Sequence, residues 1–324
     1  MKAITFDQYG SPDVLHYADV TQPVPGPGEV LVRVHASSVN FADRAAMRGS
    51  PGLIRLVYGV PRPRAGARVL GRDVAGTVVA VGPDATRFEV GDEVLGEMSQ
   101  HGFAEYVAAP EAHLVAKPAG VTFEQAATLP VAATTALQAL RAGGVTAGRT
   151  VLVNGASGGV GTFAVQLATI LGATVTAVCR TRNIDLVRSI GAQHVVDYTR
   201  EDVTRGTARF DVIIDLAGDH RVSEFRRILT RNGTYVSSSG TGVPVFGPLP
   251  RLLAAVTLSP LVSQRLRGVT AKRNAADLAY LVGLVAAGSL TPVIERTYPL
   301  AEAADAIRHV ETAHPRGKIV LTVH

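Results

Sequence analysis

The first part of the chain alternates short, apolar β-like runs with turns that are rich in glycine and proline. A proline- and glycine-rich turn over Pro23–Gly28 precedes the first of these runs. The runs are Glu29–His35, Gly76–Val81, Asp92–Leu95 and Phe103–Val107. Several short strands separated by turn signals are typical of an antiparallel, partly closed barrel. The pattern therefore predicts such a barrel for the N-terminal part of the chain.

From about Pro130 the pattern changes to strands that alternate with helices. A helical pattern over Ala132–Arg141 stops at Gly143 and Gly144, since glycine is the usual residue just past a helix end. The strand-like runs that follow are Val151–Val153, Thr174–Val178, His194–Val196, Asp211–Asp215 and Thr234–Val236. Helical runs at Val160–Leu167 and Asp185–Ile190 separate the first three. This alternation predicts a parallel, doubly wound sheet, and hence an α/β fold class.

The C-terminal part carries a helical run over Lys272–Ala287 and then a strand–helix–strand pattern. Its last three elements are Val293–Thr297, Ala301–Val310 and Lys318–Val323. We expect the last strand to return to the first domain. The predicted organisation is a barrel domain over residues 1–121, a dinucleotide-binding domain over 122–270, and a return to the barrel over 271–324.

Composition excludes several classes of function. The 324 residues carry a net charge of +5, but the arginines are scattered and have no aromatic interleaving, so nucleic-acid binding is not expected. The single cysteine, Cys179, excludes an internal disulfide and fits a reducing compartment. Met1 leads directly into a strand-like run, so we expect no signal peptide and a cytoplasmic location. The apolar run Leu252–Val262 is too short to span a bilayer. For Phe246–Val262 four roles stay open: a cover over an apolar substrate, a lid, a dimer contact, and contact with a bilayer, which is the least expected of them.

A glycine-rich turn over Gly155–Gly161 joins the first strand of the middle part to its helix. In this order of elements the pyrophosphate of a dinucleotide approaches the glycine backbone and the free N–H groups of the helix N-terminus. The alternative is a tight turn without a ligand, because Ala156 replaces the first glycine of the usual pattern. The strands and helices around the turn favour the cofactor interpretation.

The end of the second strand indicates which dinucleotide is bound. Sites for NAD place an acidic residue there, to hold the ribose hydroxyls. No Asp or Glu occurs between Gly155 and Ile184, and the strand instead ends at Arg180, Thr181 and Arg182. Two guanidinium groups and the Thr181 hydroxyl suit the oxygens of a 2′-phosphate, so this end predicts NADPH as the cofactor. The alternative is that both arginines are solvated loop charges.

Several segments together carry a resemblance to a known family. They are Pro27–Val32, Ser38–Asp43, Gly71–Val78, Phe88–Val94, Gly102–Tyr106, Leu129–Leu137, the turn at Gly155 and Arg316–Val320. Over essentially its whole length, the chain resembles the zinc-independent, quinone-oxidoreductase-like branch of the medium-chain dehydrogenase/reductase superfamily. The resemblance implies a GroES-like catalytic domain built from both chain ends, an inserted Rossmann domain, and a cofactor in the cleft between them. It also implies a homodimer joined through the strand Thr234–Ser239.

The departures from zinc-dependent members of that superfamily are informative. Asn40 stands where those enzymes carry a ligand cysteine, and Arg72 stands where they carry a ligand histidine. A catalytic zinc needs three ligands of Cys, His or Asp/Glu type, so we expect no metal. Reduction of a conjugated acceptor suits a reaction without a Lewis acid, because the charge is delocalised into an enolate or a hydroquinone.

The resemblance assigns cofactor contacts to a set of residues. These are Asn40, Thr135, Ser157, Gly158, Gly159, Val160, Arg180, Arg182, Tyr198, Gly218 and Lys318. Alternatives stay open for six of them: a turn asparagine for Asn40, a helix cap for Thr135, a core-edge aromatic for Tyr198, a surface charge for Lys318, and loop charges for Arg180 and Arg182.

The substrate side of the site is less defined by the sequence. Asn40 is a candidate donor to the substrate carbonyl, and Tyr58 is a candidate for the tyrosines that quinone reductases carry after the Asn40 motif. We expect Asp43 to be structural and Asp73 to form an ion pair with Arg72. The predicted function is NADPH-dependent hydride transfer to a small-molecule quinone or enone. The alternatives are a catalytically quiet NADPH-binding protein and an NADP-dependent alcohol or aldehyde oxidoreductase.

Overall fold

A computed structural model describes residues 1–238, 263–313 and 315–323 of the chain. The chain forms two compact units. One contains Met1–Thr134 and Arg273–His324, and the other contains Thr135–Lys272. The apolar segment Phe246–Val262 lies outside the described residues. Among the described residues, none of the helices combines the length and the apolar run that crossing a bilayer would require.

The first unit is built on a sheet of seven strands and a separate two-stranded hairpin. The hairpin strands are β1 (Lys2–Thr5) and β2 (His16–Asp19). The sheet strands are β3 (Glu29–Ser38), β4 (Asp73–Val81), β5 (Glu93–Glu97), β6 (Tyr106–Pro110), β7 (Leu114–Ala116), β14 (Ile294–Pro299) and β15 (Lys318–Thr322). Their order is β14-β15-β3-β4-β5-β7, and β6 pairs with β3.

The long strand β3 organises this sheet. Residues Glu29–Arg33 pair with β6, residues Ala36–Ser38 pair with β15, and β4 runs along the opposite edge. All pairings are antiparallel except that of β14 with β15. The prediction that the last strand returns to the first domain is confirmed, because β15 pairs with β3 within this unit.

Five helices belong to the first unit. They are α1 (Phe41–Arg48), α2 (Ile54–Tyr58), α3 (Phe123–Ala127), α8 (Ala275–Ala286) and α9 (Ala303–Thr312), with a π-helical turn at Leu129–Ala133. Short 3-10 turns lie at Pro12–Val14, Ala65–Ala67, Glu111–His113 and Leu300–Glu302. Three of these helices, α1, α3 and α8, start at a polar N-cap residue, which is the usual choice at a helix N-terminus: Asn40, Thr122 and Asn274. For example, the Asn274 side chain accepts hydrogen bonds from the backbone N–H groups of Ala276 and Asp277. The core includes Phe6, Met47 and Phe103.

The second unit is a parallel sheet of six strands in the order β10-β9-β8-β11-β12-β13. The strands are β8 (Thr150–Asn154), β9 (Thr174–Cys179), β10 (His194–Asp197), β11 (Phe210–Asp215), β12 (Leu229–Ser237) and β13 (Arg265–Gly268). The helices are α4 (Thr134–Gly143), α5 (Gly159–Ile170), α6 (Ile184–Ser189) and α7 (Val222–Arg227), with 3-10 turns at Thr181–Asn183 and Val203–Arg205. This parallel sheet, together with the largely antiparallel sheet of the first unit, confirms the predicted fold class.

One expectation about the second unit is wrong. The segment Thr234–Ser239 was expected to present a free sheet edge for dimerisation, but Arg265–Gly268 pairs with Thr234–Ser237 in parallel on the side away from β11. Among the described residues, β13 therefore ends the sheet and β12 does not. The additional strand carries three polar or small residues, Arg265, Arg267 and Gly268, so it lacks the apolar run by which strands are found in a sequence.

Candidate functional site

Asn40 lies at the junction between β3 and α1, where it joins a buried polar network. Its backbone N–H donates to Asp43 Oδ2 at 2.8 Å, which starts the helix. Its side-chain Nδ2 donates to Asp73 Oδ2 at 2.7 Å and to the Ser38 carbonyl at 3.2 Å. Asn40 is therefore more than a turn asparagine that satisfies its own backbone, because its amide bridges to another strand.

Asp73, the first residue of β4, is the centre of this network and is fully buried. Besides Asn40, its carboxylate accepts hydrogen bonds from the Ser38 hydroxyl and, at 2.9 Å, from the backbone N–H of Val131. The expected ion pair between Asp73 and Arg72 is wrong. Consecutive strand residues point to opposite faces of a sheet, and Arg72 instead forms an ion pair with Glu97.

Lys318, the first residue of β15, brings a positive charge into the network. Its Nζ donates to Asn40 Oδ1 at 2.6 Å and to the Val39 carbonyl at 3.2 Å, and lies 3.5 Å from Asp73 Oδ2. Burial lowers the pKa of Lys318, while the charge of Asp73 opposes that shift. The interpretation of Lys318 as a surface charge is wrong, because only 3% of the residue is exposed.

Asp43 shares this environment but has fewer partners. Burial raises the pKa of the Asp43 carboxyl to about 7, the Asn40 backbone N–H opposes that shift, and the charge of Asp73 adds to it. Its Oδ1 has no hydrogen-bond partner in the part of the chain that the structure describes. Asp43 caps α1 in the structural manner expected of it, and the raised pKa places the titration of its carboxyl near neutral pH.

A second polar cluster in the same unit surrounds Glu97. Its carboxylate pairs with Arg72, and burial raises its pKa although Arg72 opposes the shift. Arg273 donates to Ser99 Oγ at 3.3 Å and lies 3.0 Å from a ring nitrogen of His113. The Nε atoms of both arginines are buried, and neither has a partner among the described residues. Some buried N–H donors of this cluster therefore have no hydrogen-bond acceptor within it.

Tyr58 and Gln100 belong to this second cluster. Burial raises the pKa of Tyr58, so its hydroxyl keeps its proton at neutral pH, and the positive charge of Arg72 opposes the shift. Gln100 is buried beside Tyr58, where its amide opposes the rise of the Tyr58 pKa, and neither of its amide atoms makes a hydrogen bond of ordinary geometry within the described residues. Unsatisfied buried amides are costly. Sequence reasoning missed Gln100, because a glutamine in the loop after β5 belongs to no motif.

In the second unit the glycine turn has the geometry that was predicted for it. Gly155 has φ +82°, a left-handed conformation, and Gly158 is the residue before α5. A Cβ on Gly161 would lie 2.2 Å from the Gly155 carbonyl oxygen, so only glycine fits there. Ser157 Oγ accepts a hydrogen bond from Asn183 Nδ2 at 2.8 Å. Gly159 and Val160 are the first two residues of α5, where backbone N–H groups have no partner within the helix.

Arg180 and Arg182 directly follow β9, as expected. Arg180 Nε donates to the Tyr198 hydroxyl at 3.1 Å, and the Tyr198 side chain extends from the end of β10. Because Tyr198 is 45% exposed, the interpretation as a core-edge aromatic is wrong. The Thr181 hydroxyl, which was expected to help bind a phosphate, instead donates to Asp197 Oδ2 at 2.5 Å. The structure thus brings Arg180 and Tyr198 together at the strand ends.

The last two assigned residues of this unit lie elsewhere. Gly218 has φ +72° and its N–H donates to Asp215 Oδ1 at 2.9 Å, which fixes the turn after β11. Thr135 is the second residue of α4 and is buried. The π-helical turn runs directly into α4, so Thr135 does not lie at a helix start and the cap interpretation is wrong.

The described residues contain no group of three or more His, Cys, Asp or Glu side chains arranged to hold a metal ion. In the buried network, the two acidic side chains are accompanied by the ammonium of Lys318. A metal cation is not favoured beside the buried positive charge of Lys318.

The comparisons with known proteins agree on one family. Residues 26–119 match the alcohol dehydrogenase GroES-like domain, and residues 190–321 match a family described as zinc-binding dehydrogenase. The chain is 33% identical to the chloroplastic quinone-oxidoreductase QR1 of Triphysaria versicolor, over 99% of this chain and 98% of that protein. It is 31% identical to the chloroplastic NADPH-dependent alkenal/one oxidoreductase of Arabidopsis thaliana, over 99% of this chain and 79% of that protein.

A solved structure gives the same result. The quinone oxidoreductase from Coxiella burnetii superposes on this chain with a TM-score of 0.88 and 33% sequence identity. The match covers 100% of this chain and 99% of that one.

The glycine turn generates a first testable expectation. Gly161→Ala forces a Cβ to within 2.2 Å of the Gly155 carbonyl oxygen, so the free energy of unfolding falls by roughly 1–3 kcal/mol. Gly158→Ala is the matched control, because its Cβ meets that same oxygen at an ordinary 3.5 Å. Urea denaturation of both variants measures the difference. Equal stability of the two variants would contradict the close packing of turn and helix.

The second expectation concerns Asp43. Its folded-state pKa of about 7 lies above the ordinary value of 3.8, so the folded chain binds more protons than the unfolded chain between those values. This carboxyl therefore lowers the free energy of unfolding as the pH rises from about 4 to about 7, by on the order of a few kcal/mol. Asp43→Asn removes that contribution, so its stability falls less over this range. Denaturation at several pH values measures it, with the exposed Asp185→Asn as control. An unchanged pH profile in Asp43→Asn would show that the carboxyl does not titrate there.

Proposed function

Because the chain belongs to the quinone-oxidoreductase-like branch of the medium-chain dehydrogenase/reductase superfamily, and is an NAD(P)H-type oxidoreductase, we propose that it uses NADPH to reduce a quinone or a conjugated enone without zinc. The observation that carries the proposal is the donor set of the first unit. Asn40 and Arg72 replace the ligand cysteine and histidine of zinc enzymes, and the Lys318 ammonium lies 2.6 Å from Asn40 Oδ1. An amide held by a buried ammonium and a guanidinium are not zinc ligands. The family description "zinc-binding" therefore does not extend to the site of this chain.

The residues of the second unit suit NADPH. When bound, the reduced nicotinamide supplies a hydride to the acceptor. We propose that the backbone of Ser157–Val160 binds the pyrophosphate, since a glycine turn that opens a helix favours anions. Arg180 and Arg182 would bind the 2′-phosphate, with Tyr198 holding Arg180 through the 3.1 Å hydrogen bond.

Two further cofactor contacts, at Gly218 and Thr135, are proposed on the residues that the resemblance assigned, and Lys318 is given a different role. Gly218, with φ +72°, leaves room for the close approach of a ribose. Thr135 offers a hydroxyl on the first turn of α4. Lys318 is fully engaged with Asn40 and Val39, so we assign it a positioning role that acts through Asn40.

On the acceptor side, we propose that Tyr58 donates a proton. Both N–H groups of the Asn40 amide are taken by Asp73 and the Ser38 carbonyl, so Asn40 serves as a fixed wall of the site and does not donate to the substrate carbonyl. Hydride addition leaves negative charge on the acceptor oxygen, which a neutral hydroxyl can then protonate. Burial raises the pKa of Tyr58, so it stays a donor at neutral pH. Gln100, whose buried amide makes no hydrogen bond of ordinary geometry within the described residues, is an additional hydrogen-bonding group for that oxygen.

A substrate panel tests the function. Metal-stripped protein is assayed by NADPH oxidation with a naphthoquinone, an enone and an aldehyde, and with a primary alcohol plus NADP⁺. We expect reduction of the quinone or the enone, unaffected by a chelator. Activity on the alcohol alone, and only after zinc is restored, would overturn the proposal. Tight NADPH binding without turnover on any acceptor would instead support a binding protein.

A variant within the same assay assigns the proton donor. Tyr58→Phe lowers kcat for the preferred acceptor by roughly a hundredfold or more, with KM for NADPH unchanged, since general acid catalysis typically contributes that much. The exposed Tyr17→Phe is the matched control. If Tyr58→Phe keeps its kcat, water supplies the proton and Tyr58 has no catalytic role.

The choice of cofactor is tested at the end of β9. Each charge-assisted hydrogen bond contributes about 1.5–3 kcal/mol, so Arg180→Ala and Arg182→Ala each raise the Kd for NADPH by roughly tenfold to a hundredfold. The Kd for NADH stays unchanged, because NADH lacks the 2′-phosphate. Arg205→Ala, which removes a side chain that is 83% exposed, is the control. Equal weakening of both nucleotides would show that the arginines do not recognise the phosphate.

A further inference from the structure

The segment around α2 exposes an unusual amount of aliphatic surface. Leu56, Val57 and Val60 are 69%, 66% and 66% exposed, and Leu53 is 39% exposed. No residue of α2 is fully buried, although Tyr58 is partly covered, and Leu56 and Val57 are adjacent in the chain. Scattered exposed apolar residues are ordinary, whereas a group within eight consecutive residues marks a contact surface.

This apolar surface lies in a strongly basic part of the chain. Residues 44–72 contain seven arginines and no Asp or Glu. Three of these arginines pair with carboxylates from elsewhere in the first unit: Arg44 and Arg48 with Glu311, and Arg72 with Glu97. The four in the middle are exposed: Arg55, Arg62, Arg64 and Arg68. We call these four and the four exposed aliphatic residues the α2 patch.

The contacts of the patch arginines leave their charges uncompensated. Arg55 Nε donates to the Gly49 carbonyl at 3.0 Å, Arg64 to the Leu56 carbonyl at 3.2 Å, and Arg68 to the Pro63 carbonyl at 3.3 Å. None of the patch arginines has a carboxylate partner within residues 1–238, 263–313 and 315–323. The Arg64 guanidinium is held at the backbone carbonyls of Leu56 and Val57, and the Arg55 guanidinium also lies 4.8 Å from the centre of the Tyr9 ring. Carbonyl and ring contacts leave the positive charges available to an external anion.

The charge decides which occupant suits the patch. A second copy docked through this surface would bring four more arginines against the first four, and like charges repel. A surface that carries many anions above an apolar interior complements both the arginines and the aliphatic side chains of the patch. We propose that the α2 patch docks on an anionic lipid bilayer, with Leu56, Val57 and Val60 entering the acyl boundary and the arginines binding lipid phosphates.

This inference stands on the patch and does not depend on the proposed reaction. It also differs from the membrane contact left open for Phe246–Val262, since that segment lies outside the described residues. If both proposals hold, docking would bring the protein to the phase in which apolar acceptors concentrate.

Flotation of the full chain with lipid vesicles tests the inference. We expect the protein to float with vesicles of phosphatidylcholine and phosphatidylglycerol, to stay behind with phosphatidylcholine alone, and to be released by added salt. Leu56→Glu/Val57→Glu should abolish flotation. Arg62→Gln should weaken partitioning about fivefold, as expected for one arginine near an anionic surface. Val90→Glu and Arg205→Gln are matched controls, since Val90 is 64% and the Arg205 side chain 83% exposed outside the patch.

Three outcomes would overturn it. The first is no flotation with anionic vesicles, and the second is equal flotation of patch variants and controls. The third is a change in oligomeric state on size-exclusion chromatography in Leu56→Glu/Val57→Glu, which would make the patch an interface between copies. Thermal denaturation confirms that the variants are folded. Turnover of a water-soluble quinone without vesicles is measured separately, so failure of the proposed reaction and failure of docking are distinguishable.

Discussion

The first unit depends on the buried carboxylate of Asp73. A charged group without water must be hydrogen-bonded and compensated, and this one is satisfied by elements that are distant in the chain. Asn40 brings the start of α1, Lys318 brings β15, and the Val131 N–H brings the π-helical turn. Removing one member would leave the others buried and unpaired. The network therefore fixes the position of the N-terminal and C-terminal segments around β4.

The same network limits what chemistry the site can perform. The Lys318 ammonium occupies the amide oxygen of Asn40, and that amide's nitrogen is engaged with Asp73 and Ser38. An amide held at both ends is a rigid group that has no N–H left for a ligand and is unsuited to binding a cation. In the proposed reaction, negative charge that forms on the acceptor is therefore stabilised by delocalisation in the acceptor itself and by the neutral Tyr58 hydroxyl. Quinones and enones meet that condition, whereas a simple aldehyde or ketone, on which the charge stays on one oxygen, does not.

Much of the fold could be predicted from local sequence patterns, whereas contacts between residues that are distant in the chain could not. The turn at Gly155 and the strand–helix alternation after it are written in consecutive residues, so the parallel sheet and the position of Arg180 followed from the sequence. The partner of Arg72 was predicted wrongly, because Glu97 becomes adjacent only when β5 pairs with β4. Likewise, Gln100 became a candidate only once its burial was known. The strand at Arg265–Gly268 escaped detection because two of its four residues are arginines on a short edge, where charge protects against aggregation.

The arginines of residues 44–72 play two opposite roles. Arg72 is half-buried and paired, so its charge serves the internal balance of the first unit. Arg55 and Arg64 are exposed and bonded only to carbonyl oxygens, which orient a guanidinium without neutralising it. A buried charge must be matched within the fold, whereas an exposed one need not be. Folding therefore does not require the absence of acidic residues over residues 44–72, and it does not require the exposure of the aliphatic side chains there. Both features become favourable against the external anionic surface proposed above.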